Sequence, residues 1–465
     1  MVFSSMLFLW VYLPIVIFGY HISGKKYKNF FLVLVSLLFY AWGEPKYILL
    51  MLFSILFNWK TGIWIEEAAK YKKCIFILNI ICNMVLLAVF KYLDMFILSI
   101  NNVCGDNKIA AVELPLPIGI SFYTFQTMSY IIDLYRGKYK AQRSLISLAL
   151  YISFFPQLIA GPIVRYEDIN EQIENRKVTL EQTAAGIRRF IYGLGKKVIV
   201  SNILAESASQ IADIYIMELT GMVAWVGAIL YTLQIYYDFS GYSDMAIGLG
   251  KMFGFRFLEN FNYPYLSKSI SEFWRRWHIS LGTWFREYLY IPLGGNRKGK
   301  IRTYLNLMIV FAVTGLWHGA SWNFVVWGIY YGILNVIERI GLQKLLMKSK
   351  MFAWIYSILA VNFGWVIFQQ KDLIKGIEYL KRMIQPWKYT ESIYTLQELV
   401  SSRVWFVAII AVLGCGGIQK LAEKWGIKGK WKDSIFEMLF CIGIVMCSFM
   451  LLAGNSYNPF IYFRF

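Results

Sequence analysis

Histidine is nearly absent from this chain of 465 residues, which holds only His21, His278 and His318. Charge is scarce as well. Charged residues make up 16% of the sequence, against about 25% in soluble domains. That scarcity excludes a water-facing globule, because a soluble protein of this length still needs a polar surface. Acidic residues are the rarer sign: 28 Asp and Glu stand against 47 Lys and Arg, for a formal charge of +19. In a soluble protein such an excess points to nucleic acid. Here the basic residues cluster in short loops between apolar runs, the positive-inside pattern of membrane proteins, and no nucleic-acid partner is implied. The six cysteines form no CxxC pair, so a disulfide framework or a zinc site has little support and no metal is expected. A GxSxG elbow, a Walker A loop, HExxH and GxGxxG are all missing. No obvious serine nucleophile is therefore on offer.

What the chain has in abundance is apolar surface: 58% hydrophobic residues, 18% aromatic, and a mean hydropathy of +0.50. A helix needs about 20 residues to cross a bilayer. Candidate runs lie near 2–20, 29–43, 46–65, 74–100, 115–135, 144–161, 184–205, 221–250, 303–317, 320–339, 351–370, 402–420 and 434–453. The first lacks a basic n-region and a small-x-small cleavage site, and reads as a retained helix. The run 29–43 stops at Gly43-Glu44-Pro45 and pairs with 46–65 as a hairpin. The run 144–161 meets Phe155-Pro156 and Gly161-Pro162, which predicts a broken or re-entrant segment. Lys25, Lys26 and Lys28, then Lys70, Lys72 and Lys73, then Arg136, Lys138, Lys140 and Arg143 follow the first, third and fifth spans. They place those loops in the cytoplasm and the N-terminus outside. The more polar stretch 371–400 reads as a connecting loop with an interfacial helix. No repeat or low-complexity linker divides the chain. The expectation is one all-α, polytopic membrane domain over residues 1–465.

Residues 231–332 stand apart. Asp238 and Asp244 frame a Tyr/Ser/Gly cluster. Arg275, Arg276 and His278 follow among Trp274, Trp277 and Trp284. Gly294 to Lys300 brings Arg297 and Lys298, and Gly315 to Ala320 surrounds His318. Ionisable groups at membrane depth are costly and point to function. His21, beside Lys25 at the end of the first run, reads as interfacial. His318 sits between apolar runs, flanked by glycines that allow a turn or a close approach. It is a candidate base, with a carbonyl-bonded structural histidine as the other reading. Around His278, basic and aromatic residues suit either headgroup contact or an anionic cofactor held by Arg275 and Arg276. The two aspartates orient a histidine, pair with Arg275 or Arg276, or form other ion pairs. The sequence does not choose.

The motifs themselves resemble a known family. MVFSS at Met1, LPIGISFYTFQTMSYIIDLYRG up to Gly137, and FFPQLIAGPIVR ending at Arg165 carry the likeness. It continues in QIYYDFSGYSDMAIGLG from Gln234, NFNYPYLSKSISEFWRRWHISLGTWFREYLYIPLGGNRKG from Asn260, GLWHGASWNFVVWG from Gly315, and the terminal PFIYFRF. The chain resembles the membrane-bound O-acyltransferases, most of all their alginate O-acetyltransferase branch. The resemblance implies a ring of about 11 transmembrane helices plus re-entrant and interfacial helices, closed so that lipid meets no open backbone. It implies His318 as the catalytic residue and His278 as the second functional position, within a catalytic core at 231–332. It also implies a cytoplasmic acyl thioester such as acetyl-CoA, and the basic residues Arg275, Arg276, Arg297 and Lys298 are the candidates to hold its phosphates. An extracytoplasmic partner of SGNH-hydrolase type and a cell-surface polysaccharide acceptor complete the picture, in a bacterial cell membrane. D-alanyl transfer from a carrier protein to teichoic acid is the neighbouring alternative. A polymer or lipid transporter using the histidines as a proton relay is the alternative of another class.

Overall fold

A computed structural model describes residues 2–105, 109–159, 161–391, 393–426, 431 and 433–454. The terminal PFIYFRF motif and Met1 of MVFSS lie outside the described residues. Apart from one isolated β-bridge, the described regular structure is helical.

The apolar runs became helices almost where hydropathy put them. α1 is Leu13–Ile22, preceded by a π-helical turn at Phe8–Tyr12. α2 (Lys28–Gly43), α3 (Ile48–Glu67) and α4 (Lys72–Cys104) follow. α5 is Ile120–Tyr135, and the predicted break separates α6 (Leu145–Ser153) from α7 (Phe155–Leu158). α8 is Tyr166–Asn175 and α9 Leu180–Gly195. A π-helical segment, Lys196–Ser201, joins α9 to α10 (Asn202–Asp213), and α11 runs Gly221–Met252. Short α12 (Ile270–Arg276) and α13 (Ile279–Phe285) precede α14 (Lys300–His318) and α15 (Trp322–Ile337). α16 (Gln343–Leu346), α17 (Lys350–Gln369) and α18 (Leu373–Ile384) come next. The last are α19 (Leu396–Leu399), α20 (Ser402–Gly414), α21 (Gly417–Lys424) and α22 (Ile435–Gly454).

Five of the described helices are long and apolar enough to cross a membrane, or six if the bent α20–α21 pair is one span. α2 and α5 are shorter than a bilayer needs. α11 has the length but carries buried Thr232, Gln234, Asp238, Ser240, Ser243 and Asp244. In α4 and α22 only 17% of the apolar stretch is covered by protein. Side chains such as Ile81, Val85, Phe436 and Leu439 lie exposed there, as lipid-facing surface must.

The helices fall into two compact units. The first comprises Met1–Phe190 with Met245–Leu258. Its interior is polar where α3, α4 and α5 meet. Asn79 donates to Asn58 Oδ1 (3.0 Å) and Thr61 Oγ1 (2.7 Å), and Asn83 donates to Asn58 Oδ1 (3.1 Å). Such amides hold helices together in hydrocarbon, where packing alone gives no hydrophobic drive.

The second unit comprises Ile191–Asp244 with Glu259–Phe465. Its tightest seam joins α14 to α15. A Cβ on Gly315 would overlap the Phe324 carbonyl oxygen, and one on Gly328 would overlap that of Phe311. Only bare Cα atoms let the two backbones lie this close.

Candidate active site

His318 is the last residue of α14, with extended Gly319 as its C-cap. The sequence put it in a glycine turn. The structure puts it on the helix itself, and Gly315 and Gly319 serve packing against α15 and the Phe324 ring. Its imidazole is 6% exposed. Trp317 lies 5.0 Å away, Trp327 5.1 Å and Phe368 5.3 Å between ring centroids. The result is an aromatic environment largely shielded from solvent.

His278 reaches the same place from another direction. It occupies the break between α12 and α13 in a left-handed conformation, φ 47° and ψ 53°. That region is disfavoured for a side chain with a Cβ, and it persists only where neighbours enforce it. The enforcement is visible. Residues 260–262 run antiparallel to 276–279, through the Phe261–Trp277 bridge, Asn262 N–H to Arg276 O (2.9 Å) and Ile279 N–H to Asn260 O (3.0 Å). Further back, the buried Glu338 carboxylate accepts from the N–H groups of Ile270 (2.5 Å) and Ser271 (3.0 Å). It thereby ties the positive end of α12 to the end of α15.

Asn260 sets the chemistry of His278. Its Oδ1 accepts from Ser280 N–H (3.2 Å) and Ser280 Oγ–H (2.9 Å) and lies 3.1 Å from His278 Nδ1. A backbone N–H can only donate, so the atom facing His278 is the oxygen and Nδ1 carries the proton. A neutral imidazole in that tautomer offers a lone pair at Nε2. Burial first, and then the neighbouring His318, hold His278 well below the ordinary imidazole range. Phe239 packs at 4.6 Å and Trp317 at 6.3 Å. Trp317 thus touches both imidazoles.

The aspartates are not histidine partners of the kind weighed from sequence, nor do they pair with Arg275 or Arg276. Asp238 binds Lys197 at 2.6 Å, both 1% exposed, and Asp244 binds Lys196 at 2.7 Å. The lysines lie on the π-helical segment after α9, a local widening often found near functional sites. Gly241 permits the approach, since a Cβ there would come within 2.8 Å of the Gly193 carbonyl oxygen.

The basic candidates are dispersed. Arg275 is exposed on α12. Arg276 is held by Glu272 (2.8 Å) and donates to Asn262 O (3.2 Å). Arg297 and Lys298 are exposed in a turn shaped by Gly294, Gly295 and Gly299, all at positive φ. Lys196, Lys197, Asn260, Glu338, Trp327 and Phe368 were not singled out from sequence. Of these, Asn260 and Trp327 lay inside the quoted motifs, where repetition of wording across a family is a signal but a single chain gives none.

The model of the membrane-bound O-acyltransferase family matches residues 39–370. A probable alginate O-acetylase of Pseudomonas putida is 38% identical over 488 aligned positions, covering 100% of both chains. A peptidoglycan O-acetyltransferase of Helicobacter pylori is 36% identical over 83% of this chain and 80% of its own. A teichoic acid D-alanyltransferase of Bacillus subtilis is 30% identical over 55% of this chain and 69% of its own.

Proposed function

The chain belongs to the membrane-bound O-acyltransferase family, and from that premise we propose that it is a multi-pass O-acetyltransferase of a cell-surface polysaccharide. Convergence of His278 and His318 in one aromatic environment shielded from solvent is the observation that carries the reading. The acetylases match over four fifths or more of this chain, the D-alanyl relative over 55%. That difference favours an acetyl over a D-alanyl donor.

The donor is acetyl-CoA, entering from the cytoplasm. Arg275, Arg297 and Lys298 are solvent-facing cations suited to its phosphates. Arg276 joins them by sharing its guanidinium with Glu272. His318 takes the proton of the acceptor hydroxyl as that oxygen attacks the thioester carbonyl. His278, neutral and oriented by Asn260, accepts from the acceptor and orders it. A ring of about 11 transmembrane helices plus re-entrant and interfacial helices, forming one membrane domain with its core at 231–332, brings the donor from one face and the acceptor from the other. An extracytoplasmic SGNH-hydrolase-like partner completes delivery to the polymer.

The test is release of free CoA thiol from acetyl-CoA by the full chain in membranes, compared with a His318→Ala chain. Base catalysis of this type contributes roughly a hundred- to ten-thousand-fold, and a loss in that range is expected. A well-inserted His318→Ala protein with undiminished turnover would sink the proposal.

A further inference from the structure

We propose that the indole N–H of Trp327 is the hydrogen-bond donor for the negative charge that develops on the acyl carbonyl oxygen. The proposal rests on His318 acting as base at this site. Trp327 is 0% exposed, and its Nε1 has no hydrogen-bond acceptor among the described residues. Buried indole N–H groups ordinarily find a partner, and leaving a buried donor unmet is costly. Its neighbours are rings: His318 at 5.1 Å, Trp274 at 5.5 Å, Tyr331 at 5.2 Å and Phe368 at 5.2 Å. Ring faces are weak acceptors and return only a fraction of the loss. A donor kept dry beside the candidate base is matched to an acceptor that arrives with the substrate.

Trp274 and Trp365 also carry buried indole N–H groups without an acceptor among the described residues, but of these three indoles Trp327 is the one packed against the His318 ring. His278 spends its proton on Asn260 and presents a lone pair, and the Ser280 hydroxyl also donates to Asn260. Trp327 is held firmly as well. It lies beside Gly328, where α15 meets α14 backbone to backbone, so its position relative to His318 is fixed before substrate binds. A preorganised donor in a low-dielectric pocket is the arrangement that stabilises an oxyanion best.

The step balances. The acceptor hydroxyl oxygen bonds to the thioester carbon and its proton passes to His318. The carbonyl π pair moves onto oxygen, where Trp327 N–H binds it. The pair then returns, the C–S bond breaks, and the leaving sulfur takes the proton from His318. The products are an acetyl ester and a free thiol.

Trp327→Phe keeps a ring and removes the donor. With acetyl-CoA as probe and the full chain in nanodiscs, kcat for thiol release is expected to fall about a hundredfold, with KM for acetyl-CoA changed less than about threefold. The unfolding temperature should change little, because removing an unmet buried donor offsets the packing lost with the smaller ring. Wild-type kcat in Trp327→Phe overturns the proposal, and so does a fall in kcat that tracks a lowered unfolding temperature. The readings remain separable. If His318→Ala is inactive while Trp327→Phe turns over normally, only the indole's role fails. If His318→Ala is active, the base assignment fails.

Discussion

Replacing Lys197 with Met takes from the buried Asp238 carboxylate the ammonium group it pairs with. At 2.6 Å, and with an effective dielectric of about 20, the gross attraction between the two charges is roughly 6 kcal/mol. Desolvating each ion costs several kcal/mol, so the pair as a whole sits near break-even. Breaking it from one side does not. The stranded carboxylate keeps its desolvation penalty, and the expected loss is about 3–5 kcal/mol. That is a large share of the roughly 5–15 kcal/mol that holds a folded protein together. Lys197→Met and Asp238→Leu should each lower the unfolding midpoint sharply in detergent, followed by intrinsic tryptophan fluorescence. The double variant, with apolar groups facing each other, should return to within about 1 kcal/mol of the parent or exceed it. Single variants within about 1 kcal/mol of wild type, or a double variant as poor as the sum of the singles, would refute the electrostatic argument.

Gly328→Ala drives a methyl into the Phe311 carbonyl oxygen. It should cost roughly 1–3 kcal/mol in unfolding measurements and cut turnover further by shifting His318 on α14; an Ala variant indistinguishable from wild type would discount the seam. Asn260→Asp keeps the acceptor for Ser280 but sets a carboxylate 3.1 Å from His278 Nδ1. A nearby negative charge raises an imidazole's pKa, opposing the depression that burial causes. The neutral form then requires a higher pH. The acidic limb of the pH–kcat/KM profile should move upward, and an unmoved limb would exclude a role for neutral His278.

Helix placement was legible because hydropathy runs are local, and so was the break at Phe154–Pro156, where proline denies the chain a continuing helix. His278 and His318 stood out by their rarity, and the structure packs both against Trp317. Their surroundings were not legible. Asp238 finds Lys197 on a segment far back in the chain, and no helical spacing connects the two. Asn260 looked like one polar residue among aromatics until the strand-like pairing of 260–262 with 276–279 brought it against Nδ1. The glycines flanking His318 suggested a turn because glycine breaks helices in water. Within a membrane bundle glycine is tolerated in helices and spent on contact, and α14 simply continues to its last residue.

The buried lysine–aspartate pair also bears on how the chain is built. Each helix leaves the insertion machinery in sequence order, and an aspartate at the centre of a lone helix costs about 2.5–3.5 kcal/mol to place in lipid. α11 carries Asp238 and Asp244, and their partners Lys197 and Lys196 were synthesised earlier. Until α11 emerges, the lysine-bearing segment lacks these two aspartates, and the water boundary is the less costly place for its charges. Pairing then neutralises the four charges together, so the joining of the two segments lowers the cost of placing either in lipid.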